Sequence, residues 1–432
     1  MLSLIGLLVG LGGLIWLTMR GVNLFLSAPL CALLVAFTGG VPFWHGGQND
    51  FVTGYMGGFG GFVSAWFLMF LLGSMFGKFM EDTGAAEAVA RAIISKLGVK
   101  HAALAVVLAC AVLTYGGVSL FVAAFSVYPV ALSLFKDANL PRRFIPAALA
   151  FGSVTFTMTS AGSPEIQNWI PIKYLHTSPY AGWQVSLVVA VFMMVVGYLW
   201  LNYMLKKAVA RGEHFVDREG DTHPDERTLP KAWTGLLPLV VVLVLSYLLH
   251  DSMAQAALIV ALAGGVATLW LINFKHFINQ QAAMSAAATG ALVAIGNTAA
   301  VVGFGAVAKL SPAFHTVVDA MTSLPGNELI GASVAVSVIA GLTGSASGGQ
   351  VIALPAVAPH YLQLGVDPSA LHRVVAISSG ALDSLPHNGY VVTTIRAICG
   401  ERHEDAYWPL AALTVVVPIF GVILAIALFS LF

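Results

Sequence analysis

Thr343-Gly-Ser-Ala-Ser-Gly-Gly-Gln350, followed by Val-Ile-Ala-Leu-Pro355, is the stretch whose reading decides the fold. It consists of hydroxyls, an amide and glycines, yet it lies in a strongly apolar region. At membrane depth water is scarce, so unpaired backbone groups are costly, and irregular polar backbone persists only where protein or a cavity receives it. Such runs at corresponding places in two halves point to a transporter's binding site. The first half carries a counterpart at Tyr115-Gly-Gly-Val-Ser119, with Pro129 downstream much as Pro355 follows Gly344.

Composition supports this setting. The 432 residues are 58% hydrophobic and 9% charged, with a mean hydropathy of +0.86. Soluble domains are nearer a quarter charged, so the chain reads as an all-α polytopic membrane protein. Its zero net charge argues against a nucleic-acid partner. Cys31, Cys110 and Cys399 are scattered through apolar stretches and read as small core residues, neither a disulfide framework nor a metal site. The apolar N-terminus lacks a basic leader, so it reads as a retained first helix. No phosphate-binding loop, dinucleotide fingerprint or zinc motif occurs, which leaves an ATP-driven pump without support.

A membrane helix needs roughly 20 apolar residues. Spans are expected at 3–19, 22–40 and 57–79, with a loop at 41–56, then a charged amphipathic segment at 78–100 on the cytoplasmic surface. Residues 101–135 hold no Asp, Glu, Lys or Arg and have basic flanks on both sides. A re-entrant hairpin with its tip near Gly116 and Gly117 fits them; two short spans are the alternative. Residues 143–172 read as a discontinuous span, broken at Thr157-Met-Thr-Ser-Ala-Gly-Ser-Pro-Glu-Ile-Gln-Asn168, because Gly162 and Pro164 both break helix. A span at 181–205 and a hydrophilic linker at 206–231 close the first half. The second half repeats the plan. Spans lie at 233–250, 255–274 and 283–309, a loop at 310–328, and a hairpin at 329–361 with its tip at 344–349. A span at 371–397 is broken at 378–389, and the last span is 407–430. The organisation is a membrane repeat at 1–205, a cytoplasmic linker, and a second repeat at 232–432 of inverted topology. Counting crossings puts both termini outside and the linker inside, as the excess of Lys and Arg prefers.

Ionisable groups inside spans are functional candidates. Glu165 and Asp383 are two acids in repeat-related breaks, each able to take a proton from one side and release it to the other; the alternative is a helix cap. His387 lies in the second break, and histidine is the side chain whose unperturbed charge change falls nearest physiological pH. His387 is a candidate for holding a substrate carboxylate or a proton. His101, His360 and His372 sit near span ends and read as interfacial. Gly117, Ser119, Thr343, Ser345 and Ser347 at the hairpin tips offer N–H groups and hydroxyls, and helix N-termini attract anions without any arginine. With Ser160, Ser163, Asn168 and Asn388 in the breaks they form the expected substrate site. No Arg or Lys is expected among the central breaks. Asn297, in a run with Gly296, Gly303 and Gly305 that interrupts the span at 283–309, is a further candidate; packing glycines explain the run equally well. His214, Asp217, Asp221, His223, Asp225 and Glu226 have no regular metal spacing and read as a solvated linker.

At these residues the sequence resembles the gluconate permease family of proton symporters, within a wider group of ion transporters built from inverted repeats with re-entrant hairpins. The matching pieces are Thr343-Gly-Ser-Ala-Ser, the glycine run at 296–305, Glu81-Asp-Thr-Gly-Ala-Ala-Glu with Lys96-Leu-Gly-Val-Lys100, Val127-Tyr-Pro-Val, and Asp383-Ser-Leu-Pro-His-Asn-Gly389. The chain departs from the His- and Pro-rich first break typical of gluconate carriers, reading Thr159-Ser-Ala-Gly-Ser-Pro-Glu-Ile-Gln-Asn there. The resemblance implies import of a small organic acid with protons across a bacterial inner membrane by a homodimer, with an elevator-type motion. No cofactor beyond the coupled proton is expected. Sodium coupling is the alternative within transport. An anion channel and an intramembrane enzyme using Glu165 and His387 are the alternatives outside it.

Overall fold

The computed structural model describes the chain except for Gly21, 46–48, 219–227, Ser323, Pro325 and Phe432. Among the described residues the protein is all-α, without a strand. Among the described residues, seven helices are long and apolar enough to cross a membrane, or eight if one bent pair counts as a span, which is the architecture of a multi-pass membrane protein.

The first half runs α1 (Leu2–Met19), α2 (Leu24–Gly39), α3 (Phe51–Asp82), α4 (Ala85–Leu97), α5 (Ala102–Tyr115), α6 (Leu120–Asp137), α7 (Ile145–Ala150), α8 (Ile172–Leu175) and α9 (Trp183–Ala210). The second repeats it: α10 (Ala232–Met253), α11 (Ala256–Asn273), α12 (Gln280–Lys309), α13 (Pro312–Thr322), α14 (Glu328–Thr343), α15 (Ala346–Gln363), α16 (Pro368–Ser379), α17 (Gly389–Val392), and α18 (His403–Ala411) leading into α19 (Val417–Leu431). Packing follows the same rule as order. α2 lies on α12 and α11 on α3; α13 lies on α1 and α4 on α10. Ser119 precedes α6 and Ser345 precedes α15, and Pro129 and Pro355 each lie ten residues further on. The two halves therefore share one plan at the level of single residues.

The long helices α3 and α12 form the central pair. A Cβ on Gly58 would come within 3.0 Å of the Val302 carbonyl, and one on Gly303 within 3.0 Å of the Tyr55 carbonyl. These glycines let two backbones approach closely, where van der Waals packing and small interhelical hydrogen bonds drive association in lipid. Tyr55 Oη donates to Ala300 O at 3.1 Å and Ser74 Oγ to Ala287 O at 2.8 Å across the same pair. The expected interruption of 283–309 is corrected here: α12 is continuous through Gly296, Asn297, Gly303 and Gly305. Gly296 makes room for the Phe25 ring and Gly305 for Ile352, so packing is the reason for this run.

Two expected loops also hold helix. α3 begins at Phe51 because buried Asp50 caps it, accepting from Thr53 N at 2.8 Å and from His45 N at 2.9 Å, as capping carboxylates do. Residues 310–328 contain α13, begun by Pro312 at its first position, where the missing N–H costs nothing; Ala313 N donates to Ser3 Oγ at 3.3 Å. The charged segment at 78–100 is less superficial than its composition suggests. α4 buries Ala85, Ala86, Val89 and Ala90, and α10 closes on it at Gly235. Buried Glu87 pairs with Arg91 at 2.5 Å.

The described part of the linker is tied down. Glu401, 3% exposed, receives Arg142 at 2.9 Å and Arg218 at 3.0 Å. Lys136 pairs with Asp217 at 2.6 Å and Arg143 with Glu213 at 2.7 Å. The Arg143 guanidinium holds the Glu213 carboxyl below its ordinary range. Asp221, His223, Asp225 and Glu226 lie outside the described residues. Among the described residues no group of three His, Cys, Asp or Glu side chains is placed to hold a metal ion. All three cysteines are buried and free.

Candidate functional site

α5 and α6 form a helical hairpin joined by 116–119, and α14 and α15 form another joined by Gly344 and Ser345. Gly117 (φ +97°) and Gly344 (φ +60°) sit in these turns with left-handed backbone, a conformation glycine adopts without the Cβ penalty. The second tip is tighter than expected: Ser347, Gly348, Gly349 and Gln350 already belong to α15. Ser345 caps that helix, its Oγ accepting from Gly348 N at 3.2 Å and lying 3.3 Å from Ser347 Oγ.

The first break follows a widened helical turn at Phe151–Thr155. Its freed carbonyls are taken up by side chains. Ser160 Oγ donates to Phe156 O at 2.5 Å, Asn168 Nδ2 to Met158 O at 3.1 Å, and Trp169 Nε1 to Ser163 O at 3.2 Å. Tyr115, on the first hairpin, donates to Ala161 O at 2.8 Å. The largest contribution comes from the other half. Arg373 of α16, 0% exposed, donates to Thr159 O at 2.7 Å, Asn168 Oδ1 at 2.6 Å, Pro179 O at 3.0 Å and Ala181 O at 3.0 Å. One planar guanidinium with five N–H donors thus braces the whole break. Its four partners among the described residues are carbonyl oxygens and none is a carboxylate, so its positive charge is solvated by dipoles.

In the second break Asn388 caps α17 through Val391 N at 3.0 Å and donates its Nδ2 to Gly344 O at 3.0 Å. The His387 ring lies so close to Gly344 that a Cβ there would be 2.9 Å from it. Asp383 is buried and accepts from Ser384 Oγ at 2.9 Å. The two breaks meet: Gly380 faces Thr159, and Gln350 Nε2 donates both to Gln167 O and to Ser379 Oγ at 3.0 Å. The hairpins join them, Gly117 facing Pro164 and Phe121 packing edge-on to Tyr390 at 5.3 Å.

Most of the expected site residues are therefore brought together. Gly117, Ser160, Ser163, Glu165 and Asn168 gather at the first break; Thr343, Ser345, Ser347, Asp383, His387 and Asn388 gather at the second. Several have structural work already. Asn168, Asn388, Ser160 and Thr343 spend hydrogen bonds on backbone or on Arg373. Asn297 stands on α12, and Ser119 faces Gly77 of α3. The buried polar atoms without a hydrogen-bond partner among the described residues include two amide oxygens, Gln167 Oε1 and Gln350 Oε1. Buried polar atoms are rarely left so, and both belong to the bridge between the breaks.

One correction concerns α16. His372, expected at an interface, is fully buried with Nδ1 2.6 Å from Thr177 Oγ1. No Arg or Lys lies inside either break, yet the first is reached from α16 by Arg373. Its signal was in the sequence: an arginine inside the expected span at 371–397, where a charge demands a partner.

The family model described as GntP family permease matches residues 2–426. The chain is 34% identical to an uncharacterized transporter, YxjC, of Bacillus subtilis, over 100% of this chain and 99% of that protein. It is 29% identical to a gluconate permease of the same organism over 33% of this chain and 31% of that one. Among solved structures it is similar in fold to the YdaH transporter of Alcanivorax borkumensis, with a TM-score of 0.54 and 15% identity, covering 94% of this chain and 98% of that one.

Proposed function

The chain belongs to the GntP family of permeases, and on that premise we propose that it is a proton symporter importing a small organic acid anion, a hydroxy- or sugar acid, across a bacterial inner membrane. The observation that carries this reading is the meeting of two helix breaks and two hairpin tips, with a buried guanidinium free of any carboxylate bracing the first break. A fixed positive charge solvated only by dipoles favours a mobile anion nearby. The hydroxyls of Ser345 and Ser347, the amides of Gln167 and Gln350, and His387 line the contacts available to a hydroxylated carboxylate. The partial likeness to a gluconate permease supports the same substrate class. Glu165, half-buried, and Asp383 are the proposed proton carriers. The hairpins enter and leave on one side and the repeats have inverted topology, a reading that the repeat of element order and packing supports; the protein works as a homodimer.

The test is uptake into proteoliposomes, without sodium, under an inward proton gradient, with gluconate, 3-hydroxybutyrate, lactate and citrate. Accumulation of one acid that a protonophore collapses is the expected result. Sodium coupling is favoured by a different observation, the two unpartnered amide oxygens of Gln167 and Gln350, since oxygen ligands at broken helices coordinate sodium. Uptake that appears only when choline is replaced by sodium at constant pH would establish that reading instead.

Two further results are expected. Ser345→Ala with Ser347→Ala raises the half-saturation concentration about five- to tenfold, the loss of one or two net hydrogen bonds of about 0.5–1.5 kcal/mol each; an unchanged value would leave these serines only their capping role. A cysteine replacing His214, exposed in the linker, is labelled by an impermeant thiol reagent only from the cytoplasmic side. Labelling in intact cells would reverse the topology.

A further inference from the structure

Away from the breaks, a cavity of about 170 Å³ lies between α3, α12, α8 and α15. Gly58 and Gly61 of α3 and Gly305 of α12 open it, and Phe62 and Trp66 supply apolar wall. Two lysines line it from different elements: Lys309 at the end of α12 and Lys173 on α8. Among the described residues no carboxylate pairs with either. The helix dipole explains a lysine at the C-terminus of α12. It does not explain why a second lysine, from the other half, faces the same small space. Like charges that share a cavity oppose each other unless an anion lies between them.

The cavity adjoins the candidate site. Its α15 wall begins at Val351, next to Gln350, and Ile170 of its lining lies three residues beyond Gln167, the carbonyl that Gln350 holds. It is smaller than the ~300–1,000 Å³ typical of pockets for drug-sized ligands, a size suited to a small metabolite.

We propose that this cavity is a second carboxylate site, held by Lys173 and Lys309, which stages the acid anion on its way to the breaks. The proposal rests on the reading of the protein as an organic-acid carrier. An anionic lipid headgroup offers similar charge, so the experiment separates the two sources.

Gly61 lines the cavity and has open space where a Cβ would go, and the natural cysteines are buried. Full-length Gly61→Cys protein in phosphatidylcholine liposomes is labelled with a sulfonate-bearing or a trimethylammonium-bearing thiol reagent. The anionic reagent is expected to react about tenfold faster, relative to a free thiol, since a cleft of one charge concentrates its counter-ion. Lys173→Gln with Lys309→Gln removes that preference, and millimolar gluconate or lactate slows the anionic reagent in the lysine-bearing protein. Lys173→Gln alone, at an exposed position, halves the effect or more and guards against misfolding of the double variant. No charge preference, or a preference indifferent to the lysines, overturns the site. Protection by phosphatidylglycerol and not by either acid overturns the carboxylate and leaves a lipid site. If no acid is transported yet gluconate or lactate protects, the cavity stands and the transport reading falls. If an acid is transported but neither protection nor a change in half-saturation follows the lysine changes, the reverse holds.

Discussion

Arg373→Gln abolishes uptake and destabilises the protein by about 3–5 kcal/mol, the part of four charged hydrogen bonds of about 1.5–3 kcal/mol each that relaxation does not recover. The reason is the set of four acceptors it leaves behind: Thr159 O, Asn168 Oδ1, Pro179 O and Ala181 O. Each loses a bond to a charged donor, worth about 1.5–3 kcal/mol, in a place where water is a poor substitute. Some of that loss is recovered as the first break relaxes, and the relaxed break no longer presents Ser163, Glu165 and Gln167 in register with α15. Arg373→Lys separates the two roles of the side chain. It keeps the charge but offers three donors from one point where the guanidinium offers a planar fork. Its stability should fall nearly as far as that of the glutamine variant, while any remaining folded protein should bind the acid anion better. Thermal unfolding in detergent, followed by tryptophan fluorescence, reads the first effect. Wild-type stability in Arg373→Gln would remove the brace from this account.

Glu165→Gln abolishes proton-driven accumulation while leaving exchange of the acid across the membrane intact. Glu165 lies between Pro164, against the first hairpin tip, and Gln167, held by α15. Residue 165 thus stands at the junction of both halves, and no side-chain hydrogen bond or ion pair among the described residues commits its carboxyl group elsewhere. Asp383, by contrast, already accepts from Ser384. An amide at 165 mimics the protonated acid, so the loaded conformations persist, but it can neither take up nor release the proton that drives net movement. Counterflow of labelled acid tests exchange, and a pH jump tests accumulation. Accumulation with unaltered pH dependence in the variant would move the coupling role to Asp383 or to sodium.

How far the sequence discloses this arrangement depends on the kind of residue. Both hairpin tips and both breaks are legible, because glycine, proline and hydroxyl clusters inside apolar runs have few structural explanations. Glycines alone are ambiguous: those at 296–305 predict an interruption, yet Gly296, Gly303 and Gly305 sit in unbroken helix and admit Phe25, Tyr55 and Ile352. Short amphipathic helices hide among polar residues, as α13 does behind Ser311 and Pro312. The roles of single polar side chains are the least legible. Asn168 and Asn388 resemble ligand-binding residues until their partners are known, and those partners, Arg373 and Gly344, lie 205 and 44 residues away. Arg373 itself was visible as a charge within a span, but its partners were not.

The most direct test of the site is protection of a cysteine placed beside it. Gly389 follows His387 and Asn388, is exposed, and has open space for a side chain. In Gly389→Cys protein, the acid that the proteoliposomes accumulate should slow maleimide labelling about tenfold at saturating concentration, while an acid that is not accumulated leaves the rate unchanged. Labelling at full speed under concentrations that saturate uptake would contradict the placement of the substrate between the two breaks.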